Sequence, residues 1–114
     1  MGQVQVALGT VDSAFSQFAP IPVMASKFLD IGEMTVTSTA ATSGVQADDA
    51  HLNNNEPTKV IWRIEVDDTE DVYASFGTPP AAASSSTGVR LGKGRTHYFS
   101  VTAVGEQVSL ASVA

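Results

Sequence analysis

Two histidines, one run of carboxylates and one short basic stretch are the residues of this chain whose types could do chemistry. His51 stands near Asp48, Asp49 and Asn53, a set with the oxygen and nitrogen donors a cation needs. Its spacing does not follow a calcium-binding loop, so a solvated loop is the better reading and no metal is expected. His97 alternates with Phe99 and Val101, which makes it a packed or interfacial histidine rather than a base. Asp67, Asp68, Glu70 and Asp71 crowd into one turn. A glycosidase needs two carboxylates facing each other across a cleft, and a single turn does not supply that. Ser84, Ser85 and Ser86 lie outside any Gly-x-Ser-x-Gly elbow. The stretch Gly88 to Gly94 mixes glycine with Arg90 and Lys93 but lacks the Gly-Lys-Ser/Thr ending of a phosphate loop. No catalytic residue, cofactor or metal ligand is assigned, and the chain is not expected to be an enzyme.

Arg90, Lys93 and Arg95 are the one basic concentration, followed by Tyr98 and Phe99. Stacking on single-stranded nucleic acid interleaves aromatic and basic groups. Here Lys and Arg total 6 against 12 Asp and Glu, a formal charge of -6, so nucleic acid is not the expected partner. Contact with an acidic protein surface suits the same residues better. The chain has no cysteine, which excludes disulfides and thiolate chemistry. Met1-Gly2-Gln3 leads straight into an alternating segment without a basic stretch, so no secretory signal is expected. No apolar run approaches the ~20 residues of a membrane helix.

The elements that must position these groups read as short strands. Val4, Val6 and Leu8 alternate with Gln3 and Gln5. Residues 11–19 read as a short helix or irregular segment, because Phe15 and Phe18 fit a helical turn and Pro20 and Pro22 stop it. Residues 20–30 read as extended chain carrying Ile21, Val23, Phe28 and Leu29, suited to covering a sheet edge or a neighbouring subunit. β-Branched residues at 35–37 mark a strand within 33–39. Residues 40–55 read mostly as loop, with a short strand near 44–46.

Val60, Trp62, Ile64 and Val66 form the strongest stripe, with Trp62 in the core. Val72, Ala74 and Phe76 alternate after the acidic turn and suggest a hairpin partner to that strand. Residues 81–87 read as a mobile loop of small residues. Short strands follow at 89–91, 96–103 and 107–113. The fold class is therefore all-β: six to eight strands in a small β-sandwich, jelly-roll-like or immunoglobulin-like, or a compact barrel. Residues 1–30 are read as an N-terminal strand and extended arm, and 31–114 as the sandwich domain, with the two able to form one domain.

The segment Val72-Tyr73-Ala74-Ser75-Phe76-Gly77-Thr78-Pro79-Pro80, then Leu91-Gly92-Lys93-Gly94, then Tyr98-Phe99-Ser100-Val101, carries a resemblance. With Gly105 and the strand at 108–110, it resembles small β-rich virion structural proteins of tailed bacteriophages. The resemblance spans residues 58–114. It implies a structural component of the virion, of the minor or capsid decoration type. The implied partners are the major capsid protein or other virion proteins, and a homo-oligomer is expected, with no membrane. Head, head-to-tail junction and tail remain three placements. The interface candidates are Ile21, Val23, Phe28, Leu29, Arg90, Lys93, Arg95 and Tyr98. A second function class is a carbohydrate- or receptor-binding β-module of a phage tail, with Trp62, Tyr73, Tyr98 and His97 as stacking groups.

Overall fold

The structure, a computed structural model, describes residues 2–15, 20–24, 28–47 and 60–113, with side chains of 11–15 and 20–24 outside the description. All nine described strands are antiparallel and fall into two sheets. The first sheet holds β1 (Gly2–Phe15), β2 (Pro20–Met24), β3 (Asp30–Val36), β5 (Val60–Val66) and β8 (Thr96–Ser100). The second runs in the order β4 (Ala41–Thr42), β9 (Gln107–Ser112), β6 (Val72–Gly77), β7 (Val89–Leu91). The fold is all-β, as the alternation predicts. It is an open sandwich rather than a barrel, because each sheet ends in strands paired on one side only. The ninth strand beyond the expected range is a two-residue piece, β4.

Strand alternation sorts the side chains by face. Val4, Val6 and Leu8 of β1, and Val60, Trp62, Ile64 and Val66 of β5, point into the space between the sheets. Val72 and Ala74 of β6, and Val108 and Leu110 of β9, fill the opposite side. Trp62 has no exposed surface. Phe76 joins it to Phe99 across the layers, with ring centroids 6.1 Å and 4.9 Å apart. Tilted ring pairs at such distances add about 0.5–1.5 kcal/mol beyond the area they bury.

Four expectations change. Strand β6 is not the hairpin partner of β5: it lies in the other sheet, between β9 and β7. Both strands carry apolar stripes that need one core. The acidic turn lets the chain cross from one layer to the other instead of folding back beside β5. Residues 11–15 are not a helical turn. They continue β1 and pair with β2, from Val11 opposite Met24 to Phe15 opposite Pro20. Proline at 20 and 22 is tolerated there because a two-stranded ribbon leaves an outer side with no ladder to serve. Residues 16–19, where Phe18 falls, lie outside the described residues.

The loop at 81–87, expected to be mobile, is pinned against the second sheet. Ala83 N donates to Ser109 Oγ of β9 at 3.1 Å, and within the loop Gly88 N donates to Ser84 O at 3.0 Å. A β-carbon at Gly88 would sit 2.8 Å from Ala74 O, so the strap lies closer than any side chain permits. The short strand expected near 44–46 is instead β4 at 41–42, followed by a single bridge between Ala47 and Glu106.

The N-terminal thirty residues divide at Thr10. Residues 4–8 of β1 are paired on both flanks, to β3 and to β5. Beyond Thr10, which pairs with Val60, β1 continues with β2 as its described partner, as a two-stranded ribbon. The thirteen steps between its fourteen Cα atoms, at about 3.3 Å each, span roughly 43 Å. The molecule's longest extent is 45 Å, a length close to that of this one strand.

Candidate interaction surface

The register of the first sheet lines up one row on its outer face. Ile31 of β3 pairs with Ala7 of β1, Ala7 with Arg63 of β5, and Arg63 with Tyr98 of β8. Ala7 is fully buried in the middle, whereas Ile31 is 50% and Tyr98 56% exposed at the two ends. Arg63 organises the row. Its Nη1 donates to Gln5 Oε1 at 2.9 Å and its Nη2 to Glu65 Oε2 at 2.7 Å. The guanidinium carbon sits 5.9 Å from the centroid of the Phe28 ring, a cation–π distance. Guanidinium, tyrosine and phenylalanine side by side match the composition of interface hot spots.

The next row is polar: Glu33, Gln5, Glu65 and Thr96 in sheet order. Past Val36 and Thr35, Gln3 ties the corner together. Its Nε2 donates to Thr35 Oγ1 at 2.8 Å, and its backbone N to Asp67 Oδ2 at 2.7 Å. That bond and a second from Thr69 N hold the Asp67 carboxyl below its ordinary pKa. Beside β3, a groove of 310 Å³ opens between Ile31, Glu33, Met34, Ser43 and Val45.

The sequence-derived interface candidates separate into five places. Phe28 and Tyr98 meet the outer row through Arg63, a residue the sequence reading did not single out. Leu29 packs against the core, and its N donates to Leu8 O at 2.8 Å. Ile21 and Val23 lie on β2, with side chains outside the described residues. Arg90 and Lys93 gather at Asp71: Arg90 Nε donates to Asp71 Oδ2 and Lys93 N to Oδ1, each at 2.9 Å. The Lys93 amide, then the Arg90 guanidinium, keep the Asp71 carboxyl below its usual range. Arg95 is exposed at the start of β8, where its carbonyl accepts from Val66 N at 3.0 Å.

Two further chemical candidates, His97 and Ser84, have structural partners. His97 is half-buried, with Nε2 3.3 Å from Gly92 O. Ser84 Oγ lies 3.2 Å from Ser86 Oγ and 2.9 Å from Thr87 Oγ1, a local turn network. Asp48, Asp49, His51 and Asn53 lie outside the described residues. Among the described residues no group of three His, Cys, Asp or Glu side chains could hold a metal ion, and no helix is long and apolar enough to cross a membrane.

One buried acid escaped the sequence reading. Glu106 is 2% exposed and accepts from Trp62 Nε1 at 2.7 Å, from Thr102 Oγ1 at 2.5 Å and from Thr102 N at 3.4 Å. The signal was present: Glu106 shares the inward phase of Val108 and Leu110. Its carboxylate stitches the turn before β9 to the tryptophan of the opposite sheet. The three donors satisfy a group that would otherwise be costly to bury. No known protein family, curated protein or solved structure matches this chain.

Proposed function

We propose that the chain is a structural component of a bacteriophage virion, a minor or decoration protein that binds its partners through sheet edges and the β1–β2 ribbon. The observation that carries this reading is the ribbon at 11–15 and 20–24, which continues a core strand beyond its last pairing with β5. A two-stranded ribbon that continues a central strand can serve as an attachment device, since backbone groups along a ribbon accept a further strand. The resemblance in the second half adds the virion setting. Its segments fall on β6, the pinned strap, β7, β8 and β9 in order. The major capsid protein or another virion protein is the proposed partner, and the virion the proposed location.

The carbohydrate-binding alternative loses its platform. Trp62 is enclosed in the core. Tyr98 lies on the outer face of the first sheet, whereas Tyr73, opposite Ala111, lies on the outer face of the second. The two tyrosines cannot stack on one sugar.

The test is mass spectrometry and labelled-antibody electron microscopy of purified particles from cells that carry the gene. The chain is expected in the particles at a regular position. Replacing residues 11–24 by an Asn-Gly turn should leave the sandwich folded and remove the chain from the particle. Purified particles without the chain would overturn the proposal.

A further inference from the structure

The first sheet has two open ends that fit each other. Strand β3 is antiparallel to β1, β1 to β5, and β5 to β8, so the edge strands β3 and β8 run in opposite directions. Each has a described partner on one side only. A second copy in the same orientation can therefore place its β8 against β3 and keep the alternation antiparallel throughout. The row Ile31–Ala7–Arg63–Tyr98 then continues from molecule to molecule. Ile31 of one copy meets Tyr98 of the next, and two of the four large exposed apolar side chains among the described residues cover each other. A third, Val89, belongs to β7, one of the two edge strands of the second sheet and the one joined to β8 by a short turn.

Charge follows the same sense. Asp30 and Glu33 are exposed on β3, and no Lys or Arg lies between 28 and 47. At the other end, Lys93 and Arg95 stand in the β7–β8 connection, after Arg90 of β7, whose guanidinium is already paired with Asp71. With Ile31 opposite Tyr98, Glu33 stands opposite Thr96, one residue from Arg95. Asp30 Oδ1 accepts from Ile31 N at 2.9 Å, a bond within the edge strand itself.

We infer that copies of this chain associate head to tail by β3–β8 strand addition, with Ile31 against Tyr98 and the acidic edge against the basic one. This rests on the virion reading only in supplying its repeat contact. A contact of one edge with a different edge closes into a ring or continues as a filament, unlike a two-fold dimer.

The chain has no cysteine, so cross-linking can be directed. Ile31→Cys and Tyr98→Cys variants, each alone under oxidising conditions, should remain uncoupled. Mixed, they should give a disulfide dimer, and the double variant a ladder of oligomers. Dimers from either single variant alone, with none gained on mixing, would show a two-fold edge contact and overturn the inference. So would sedimentation as a monomer at every concentration together with no cross-link. Tyr98→Lys and Glu33→Lys should each weaken self-association of the otherwise native chain by roughly tenfold or more. Unchanged association in both variants also counts against it. Loss of self-association contacts with the chain still present in purified particles would reject this contact alone. A chain that oligomerises but is missing from particles would reject the virion reading alone.

Discussion

The two sheets share a core and differ on their outer faces. The second sheet is finished by its own chain. The strap that follows β6 lies across it, and Ser75, Ser109 and Ala111, which point away from the core, are buried all the same. The first sheet has Arg63 bonded to Gln5 and Glu65 on its outer face and leaves Ile31 and Tyr98 open at its ends. Polar and small side chains under the strap allow a close approach of backbone to sheet. Large apolar and aromatic groups on the other face gain only when something covers them. The contrast leaves one face largely covered by its own chain and the other with large apolar groups exposed at its two ends.

Substitution at the shared core should erase the comparison altogether. Trp62→Ala removes the largest buried side chain and leaves Glu106 without its indole donor. A loss of about 3–5 kcal/mol is expected in denaturant unfolding. A change under about 1 kcal/mol would mean that the tryptophan does not bridge the sheets. Gly88→Ala attacks the closed face alone, since its β-carbon would press on Ala74 O at 2.8 Å. A cost of about 1–3 kcal/mol is expected, with faster amide exchange in β6 and β9 and self-association through the first sheet unaltered. Parallel changes in exchange at β3 and β8 would break the separation of faces.

Ser109→Ala is a finer cut. Ala83 N loses its acceptor in a buried place, at about 1 kcal/mol. Proteolysis within the strap should rise while the rest of the fold holds. The smallest expected effect is on acid stability. Asp67 and Asp71 titrate below the ordinary aspartate value of 3.8 in the folded chain. The stability they add is thus complete above that value and is lost as pH falls through their lower folded pKa values. Asp71→Asn should lower stability slightly at neutral pH and flatten the acid limb of a stability–pH curve, so that the variant and native curves converge at low pH. An acid limb identical to that of the native chain would show that the bonds to Lys93 N and Arg90 contribute nothing to it.

What could be read in the sequence was face, and what could not was partner. The alternation of Val60, Trp62, Ile64 and Val66 gives the buried side of β5 directly. Val72, Ala74 and Phe76 alternate just as clearly, yet the pattern does not say which strand stands beside them. Adjacency in sequence suggested a hairpin, whereas the need to face one core from both sides produced a crossing. The same gap hid the strap. Alanines and serines at 81–87 carry no apolar signal, and their order comes from Ser109, 26 residues away from Ala83. Arg63 was an ordinary polar position of a strand until register set it between Ala7 and Tyr98. Glu106 alone had a readable phase, and its turn-like setting between Gly105 and Gln107 masked it. Of the interface candidates, Phe28 and Tyr98 were legible as aromatic residues, and their connection required the sheet.

The long first strand also fixes how the molecule carries load. Ladder bonds run perpendicular to their strands. A partner drawing on the ribbon along β1 therefore shears seven residue pairs with β3 and seven with β5 at the same time. The bonds must fail together rather than open one after another, so tension along β1 is resisted by its ladders with β3 and β5 at once.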